Sequence, residues 1–373
     1  MKITAAKDLK CEYLRNPLGI DRQKPRFSWI VEHKSRGQSQ KAYQIIVSSD
    51  FELALRKIGD QWDSGKVESE LTFNVSYSGK PLKSSRQYFW LVRWWDKDGN
   101  LSPFSETAHF QTGLFQKNDW KAKWISKKDC KKFSSKGSVL QGKYMGQYIL
   151  CQTLYLRKEF DIKQEVQRAM AYICGLGFYE MRLDGHKVGD HVLDPAQTDY
   201  RKIALYSTYD ITSQLKKRNA VGVLLGNGRH IKNYGYGHPR LILQIIIDYK
   251  NGDKETIISD GTWRVSYGPL LKDGLYFGEK YDARLEQRGW DEPGFDDAKW
   301  DKASVVQGPE LFSQMVQPIR VTKKLRAKRL YSPSPGIYIY DFGQNFAGWS
   351  RLSVRGPRGT EVSLRHAELV HED

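Results

Sequence analysis

No stretch of this 373-residue chain is apolar for long enough to cross a bilayer, and its start, MKITAAKDLK, lacks the apolar run that a secretory leader carries after its lysines. The expectation is a chain that works in the cytoplasm as written, or in the periplasm or outside the cell if the true start lies upstream. Cysteine is scarce. Cys11, Cys130, Cys151 and Cys174 show no CxxC spacing in a chain large enough to fold without staples, so reduced thiols are expected. No GxSxG elbow and no HExxH string appears, and His186, His191, His230 and His238 are dispersed, which argues against zinc. Helical periodicity is also rare, best at 51–58 and 210–217, so the balance is heavily β.

What the chain has in excess is positive charge. Sixty Lys and Arg against 43 Asp and Glu give a formal +17, which favours anionic partners without saying whether they are acidic polysaccharide, nucleic acid or a membrane surface. The basic clusters at 127–128, 131–132, 216–218 and 323–329 fall at segment joins and read as solvated surface. No RNP-like string or zinc finger accompanies them, so neither nucleic acid nor membrane is the expected partner.

The pattern along the chain divides it into three. Residues 1–115 show short strands such as RFSWIVEH, KAYQIIVSS and RQYFWLVRWWDKDGN, a β-sandwich rhythm. In the last of these, Tyr88, Trp90, Val92 and Trp94 share one face, so at least one aromatic row must enter a core. Residues 116–124 look like a linker ending in an anchoring tryptophan, and the Lys/Ser/Gly-rich 127–146 like a long surface loop. A second domain, 116–310, holds GLGFYEMRLDGHKVGD, where Asp184-Gly185 is the pair a type I′ hairpin turn needs, and LILQIIIDY, which leads through Asn251-Gly252 into another hairpin. A new strand set from about Ile319 belongs to a third piece, 311–373, which is short for a sandwich and looks cut off in mid-domain. The expected fold class is therefore all-β, as tandem sandwiches.

Several strings in this order resemble the bacterial α-L-rhamnosidases of glycoside hydrolase family 78. NPLGID at 16–21, PRFSW at 25–29 and QWDSGKV at 61–67 are similar to that family's fibronectin-III-like leader. YEMRLDGHKVGD, TDYRK, GNG at 226–228, GEKYDAR at 278–284 and GWDEPGFDDAKW are similar to its jelly-roll, galactose-binding-like N-terminal domain, and YDFGQNFAGWSRLSVRGPRGTEVSLRHAE to the opening of its next β-sandwich. The resemblance implies hydrolysis of terminal α-L-rhamnosyl residues of plant or bacterial glycans by the complete enzyme, with inversion. It also implies that the acid and base sit in an (α/α)6 barrel C-terminal to these domains. No catalytic residue is thus expected here, and this chain alone should be inactive, its missing partner being the catalytic domain.

The residues agree with that. Glycoside hydrolysis needs two carboxyl groups flanking the bond; Asp282, Arg284 and Glu286 would share one strand face as an ion pair, Glu279 and Tyr281 lie on the other, and Asp296-Asp297 reads as a turn. A binding role suits loops that offer aromatic faces and amides. Asp184, Asn227, Asn233, Tyr234 and Tyr236 are the expected carbohydrate contacts. No cofactor is required. Some middle domains of the family are similar to calcium-dependent rhamnose-binding modules, and Asp184, Asn227 and Asn233 would be the oxygen ligands here, fewer than the six to eight that ion prefers. The partner would be a rhamnose-containing, acidic oligo- or polysaccharide; the alternative is a standalone, non-catalytic rhamnose-binding protein.

Overall fold

A computed structural model describes residues 3–138, 145–232, 235–275 and 278–369, and in 133–149 only the backbone where it is described. The molecule is almost entirely β, in two compact units, Met1–Arg320 and Val321–Asp373.

The first unit contains two sandwiches. In the leading one, a three-stranded sheet (Lys7–Cys11, Arg26–Ile30, Val75–Ser76) faces a five-stranded sheet built on Gln40–Ser48 and Gln87–Asp96. The aromatic row behaves as its alternation requires: Tyr88, Trp90, Val92 and Trp94 are all buried, with Trp90 4.4 Å from Phe27. On the other face, Arg93 lies over the rings of Trp95 and Phe104. The expected helix at 51–58 shrinks to Phe51–Leu55, capped by the Asp50 carboxylate; at 210–217 only the 3-10 turn Thr212–Gln214 forms.

The second sandwich packs a six-stranded sheet against a seven-stranded one. Their facing rows, Leu154, Leu156, Val221, Val223 and Leu225 from one sheet and Ala171, Ile173, Leu241, Leu243 and Ile245 from the other, form a dry core. The Asp184-Gly185 turn has φ +48° and +83°, as a type I′ hairpin demands, and joins Tyr179–Leu183 to His186–Lys187. The hairpin Arg240–Tyr249 to Lys254–Ile258 also forms, with only Gly252 at positive φ in its turn.

Two expectations are corrected and one is refined. The surface loop at 127–146 is instead largely a hairpin, Lys132–Ser138 pairing with Met145–Cys151; its backbone ladder needs no apolar alternation, so its composition hid it. The linker at 116–124 ends, as expected, in an anchor, Trp124, which is buried, and Trp120 also packs edge-on against Tyr172 and Tyr206. The second domain does not stop at 310. Glu310–Ser313 adds a parallel strand to Ile203–Asp210, and Ile319–Arg320 pairs with His191–Val192.

The sandwiches are also bonded to each other. Arg168 of the second donates to the Ser85 carbonyl and Gln111 of the first while paired with Asp248. The Tyr206 hydroxyl accepts the Leu114 N–H at 3.0 Å, and Tyr172 donates to Ser85 Oγ at 2.8 Å.

In the second unit, Arg329–Ser334 and Ile337–Asp341 form a hairpin around Gly336, at φ +82°. Its apolar side chains, among them Leu330, Tyr338, Trp349 and Leu364, are exposed.

Candidate functional site

The six-stranded sheet places Asp184 and Asn227 at opposite ends of one strand. The Asp184 N–H bonds the Ala220 carbonyl, whereas Asn227 lies two residues past the end of Arg218–Leu225. At a rise of about 3.3 Å per residue that separates them by roughly 20 Å. Both are buried and committed: Asp184 Oδ1 takes the Ala220 N–H, and Asp184 Oδ2 faces Lys216 at 3.6 Å. Asn233 and Tyr234 lie outside the described residues. Asp184 and Asn227 therefore do not converge as calcium ligands.

The loop end beside Asn227 is where chemistry gathers. Its floor is a buried polar lock. The Asn227 carboxamide accepts the Cys151 N–H at 2.8 Å and donates to the Cys151 carbonyl at 2.7 Å and to Asp273 Oδ2 at 2.9 Å. Asp273 also takes the Asn227 N–H and the Thr153 hydroxyl. The flanking glycines follow from this closeness: a Cβ on Gly226 would meet Asp273 Oδ1 at 2.7 Å, and Gly228, at φ +50°, would press on Phe178. Burial pushes the Asp273 carboxyl above the ordinary range, and burial with the Asp273 charge does the same to Glu279. These two carboxyls are no hydrolytic pair, because Asp273 is sealed in and its oxygens are occupied.

Tyr236 joins an aromatic trio. Its ring stacks on His230 at 5.5 Å and 12°, with Tyr200 edge-on to both. Burial, with help from Arg240, lowers the His230 imidazole to about 4, so it is neutral beneath Tyr236. Two residues further on, His238 Nδ1 lies 3.0 Å from Cys151 Sγ, and Cys151 is joined to Cys130 as a disulfide. The expectation of four reduced thiols is corrected for this pair; Cys11 and Cys174 are free and buried. The pairing arises because the hairpin brings Cys130 beside Cys151, and a sequence separation of 21 gives no spacing signal. His238 also lines a pocket of about 380 Å³ with Ser126, Lys127, Lys128, Arg240 and Ser304. A basic pocket beside a half-buried tyrosine face can hold a hydroxylated, anionic ligand.

Elsewhere the expected acids are structural. Asp282 caps the 3-10 turn Ala283–Leu285 rather than lying on a strand, and its bond to Arg284 holds its carboxyl down at about 2. Asp296 makes the expected turn by accepting the Ala298 N–H, while Asp297 pairs with buried Arg157.

Residues 6–116 match the Rha78A-like N-terminal immunoglobulin domain, 164–323 the alpha-L-rhamnosidase N-terminal domain, and 332–373 the bacterial alpha-L-rhamnosidase concanavalin-like domain. An alpha-L-rhamnosidase of Formosa agariphila is 38% identical over 95% of this chain and 39% of its own length; one of Streptomyces avermitilis is 29% identical over 97% and 51%. Among solved structures, alpha-L-rhamnosidase from Dictyoglumus thermophilum superposes with a TM-score of 0.88 at 44% identity, covering 92% of this chain and 39% of that one. The Streptomyces avermitilis enzyme complexed with L-rhamnose gives 0.81 at 26% identity, covering 91% and 49%. The chain thus spans about two fifths to one half of the relatives it matches.

Proposed function

The chain belongs, through N-terminal β domains, to the bacterial α-L-rhamnosidases of glycoside hydrolase family 78, and from that premise we propose that it is the non-catalytic portion of an enzyme releasing terminal α-L-rhamnosyl residues from plant or bacterial glycans. One observation carries this: 95% of the chain aligns with only 39% of an alpha-L-rhamnosidase.

Within that role, the loop end with Tyr236, His238 and Arg240 holds rhamnose-containing glycan, the tyrosine face taking the sugar and the basic pocket a uronate carboxylate. The formal charge of +17 fits an acidic polysaccharide.

The test is a paired assay on the purified chain. No release from p-nitrophenyl-α-L-rhamnoside is expected, together with retention on rhamnosylated, uronate-bearing glycans that weakens in Tyr236→Ala and Arg240→Ala. Turnover by the chain would end the non-catalytic reading; inactivity without retention would leave only a scaffold role.

A further inference from the structure

We propose that Cys130, Cys151 and His238 form a three-ligand site for zinc, filled when the disulfide between the two cysteines is reduced. The two sulfurs and an imidazole nitrogen lie within 4.8 Å of one another. Tetrahedral zinc, with Zn–S about 2.3 Å and Zn–N about 2.0–2.1 Å, sets its ligand atoms roughly 3.5 to 3.8 Å apart. The cluster therefore needs only small side-chain rotations once the sulfur–sulfur bond is gone.

What makes this a site rather than a chance meeting is that three separate segments are each pinned. Cys151 is clamped through both its N–H and its carbonyl by the Asn227 carboxamide. Cys130 is bracketed by the Tyr267 hydroxyl, which donates to the Asp129 carbonyl and accepts the Lys131 N–H, both at 2.7 Å. The backbone after His238 is held where the Pro239 carbonyl accepts from Ser126 Oγ at 2.7 Å. None of these bonds involves the disulfide, so reduction leaves the ligands in place.

The donor set selects the ion. Two thiolates and an imidazole suit zinc and not a hard oxygen-seeking cation. Two thiolates also cancel the charge of Zn2+, so the filled site is neutral among Lys127, Lys128 and Arg240. Three protein ligands leave a fourth position for water at the edge of the basic pocket that His238 lines. The chemistry balances: a dithiol reductant gives two electrons and two protons to the S–S bond and becomes a disulfide itself, leaving two protein thiols. Zinc then displaces both thiol protons to solvent as it binds.

Cobalt(II), spectroscopically visible in zinc sites, provides the test on the untagged full chain, reduced and freed of reductant. One equivalent should bind, with a thiolate-to-cobalt charge-transfer band and tetrahedral visible bands, and one equivalent of zinc should bleach both. The oxidised chain should show neither. Outer partners alone are worth roughly 10- to 100-fold in metal affinity, so Cys130→Ser, Cys151→Ser and His238→Ala should each weaken binding by at least about that much. Cys11→Ser and Cys174→Ser should change nothing. His238→Ala leaves both cysteines in place, so it decides the matter even if a serine variant unfolds. Reduced wild type without a charge-transfer band, or His238→Ala with unaltered affinity and spectrum, overturns the proposal and leaves a structural disulfide.

Discussion

Asp273 Oδ2 and Asn227 Nδ2 face each other at 2.9 Å in the interior, and Asp273 Oδ1 takes the Asn227 backbone N–H at 2.7 Å. This lock fixes the loop that carries Tyr236 and His238. Asp273→Ala would leave the Asn227 backbone N–H and the Thr153 hydroxyl without their partner, each worth about 1–3 kcal/mol when buried, and would strip one bond from the Asn227 carboxamide. A loss of about 3 kcal/mol or more in urea unfolding is expected, with a like loss for Asn227→Ala, which also strips the Cys151 N–H. A cost under about 1 kcal/mol for both would show that the loop is held by something else.

His230 should make the fold acid-sensitive. Its folded-state value, about 4, lies below the ordinary 6.5. The neutral form is therefore favoured in the folded chain, and the stability it contributes is present above about pH 6.5 and lost as pH falls through about 4. Between pH 7 and pH 4 the wild type should lose on the order of 3 kcal/mol more than His230→Gln. Equal losses in the two proteins, measured from urea midpoints at both pH values, would contradict this.

Arg157 is a buried cation with its surroundings built to suit it. It donates to the Trp290 and Glu292 carbonyls, pairs with Glu159 and Asp297, and lies over the Phe295 ring at 5.4 Å. Removing one side of a buried pair costs about 3–5 kcal/mol, and that is the expected effect of Arg157→Ala. Asp297→Asn should cost less, since Glu159 remains. Thermal melts followed by tryptophan fluorescence would rank them.

The second unit should report its open apolar surface directly. Trp349 is 57% exposed, while Trp90, Trp94 and Trp263 are sealed. Trp349→Phe is expected to reduce the acrylamide-quenchable share of fluorescence without moving the melting midpoint of Met1–Arg320. An unchanged quenchable share would mean that Trp349 is covered in solution.

Much of this architecture was legible because it rests on local rules. Asp184-Gly185 announced its turn through backbone conformation, and the row from Tyr88 to Trp94 announced its core through alternation. The site was less legible, since it depends on distance in space. Asp184 and Asn227 looked like co-ligands as flanking loop residues, but a strand of eight residues holds them apart. Cys130, Cys151 and His238 look unrelated in the sequence, and only the pairing of Lys132–Ser138 with Met145–Cys151 and the lock at Asn227 bring them together. A composition of lysine, serine and glycine concealed that hairpin, because cross-strand backbone bonding leaves no mark on residue type.

The bonds from Arg168, Tyr172 and Tyr206 to the leading sandwich have a mechanical meaning. A glycan gripped beside Tyr236 would be presented at a fixed bearing to the first domain, which acts as a rigid mount and not as a leash. Force or diffusion acting on one sandwich would be transmitted to the other, and proteases would find no slack tether between them to cut.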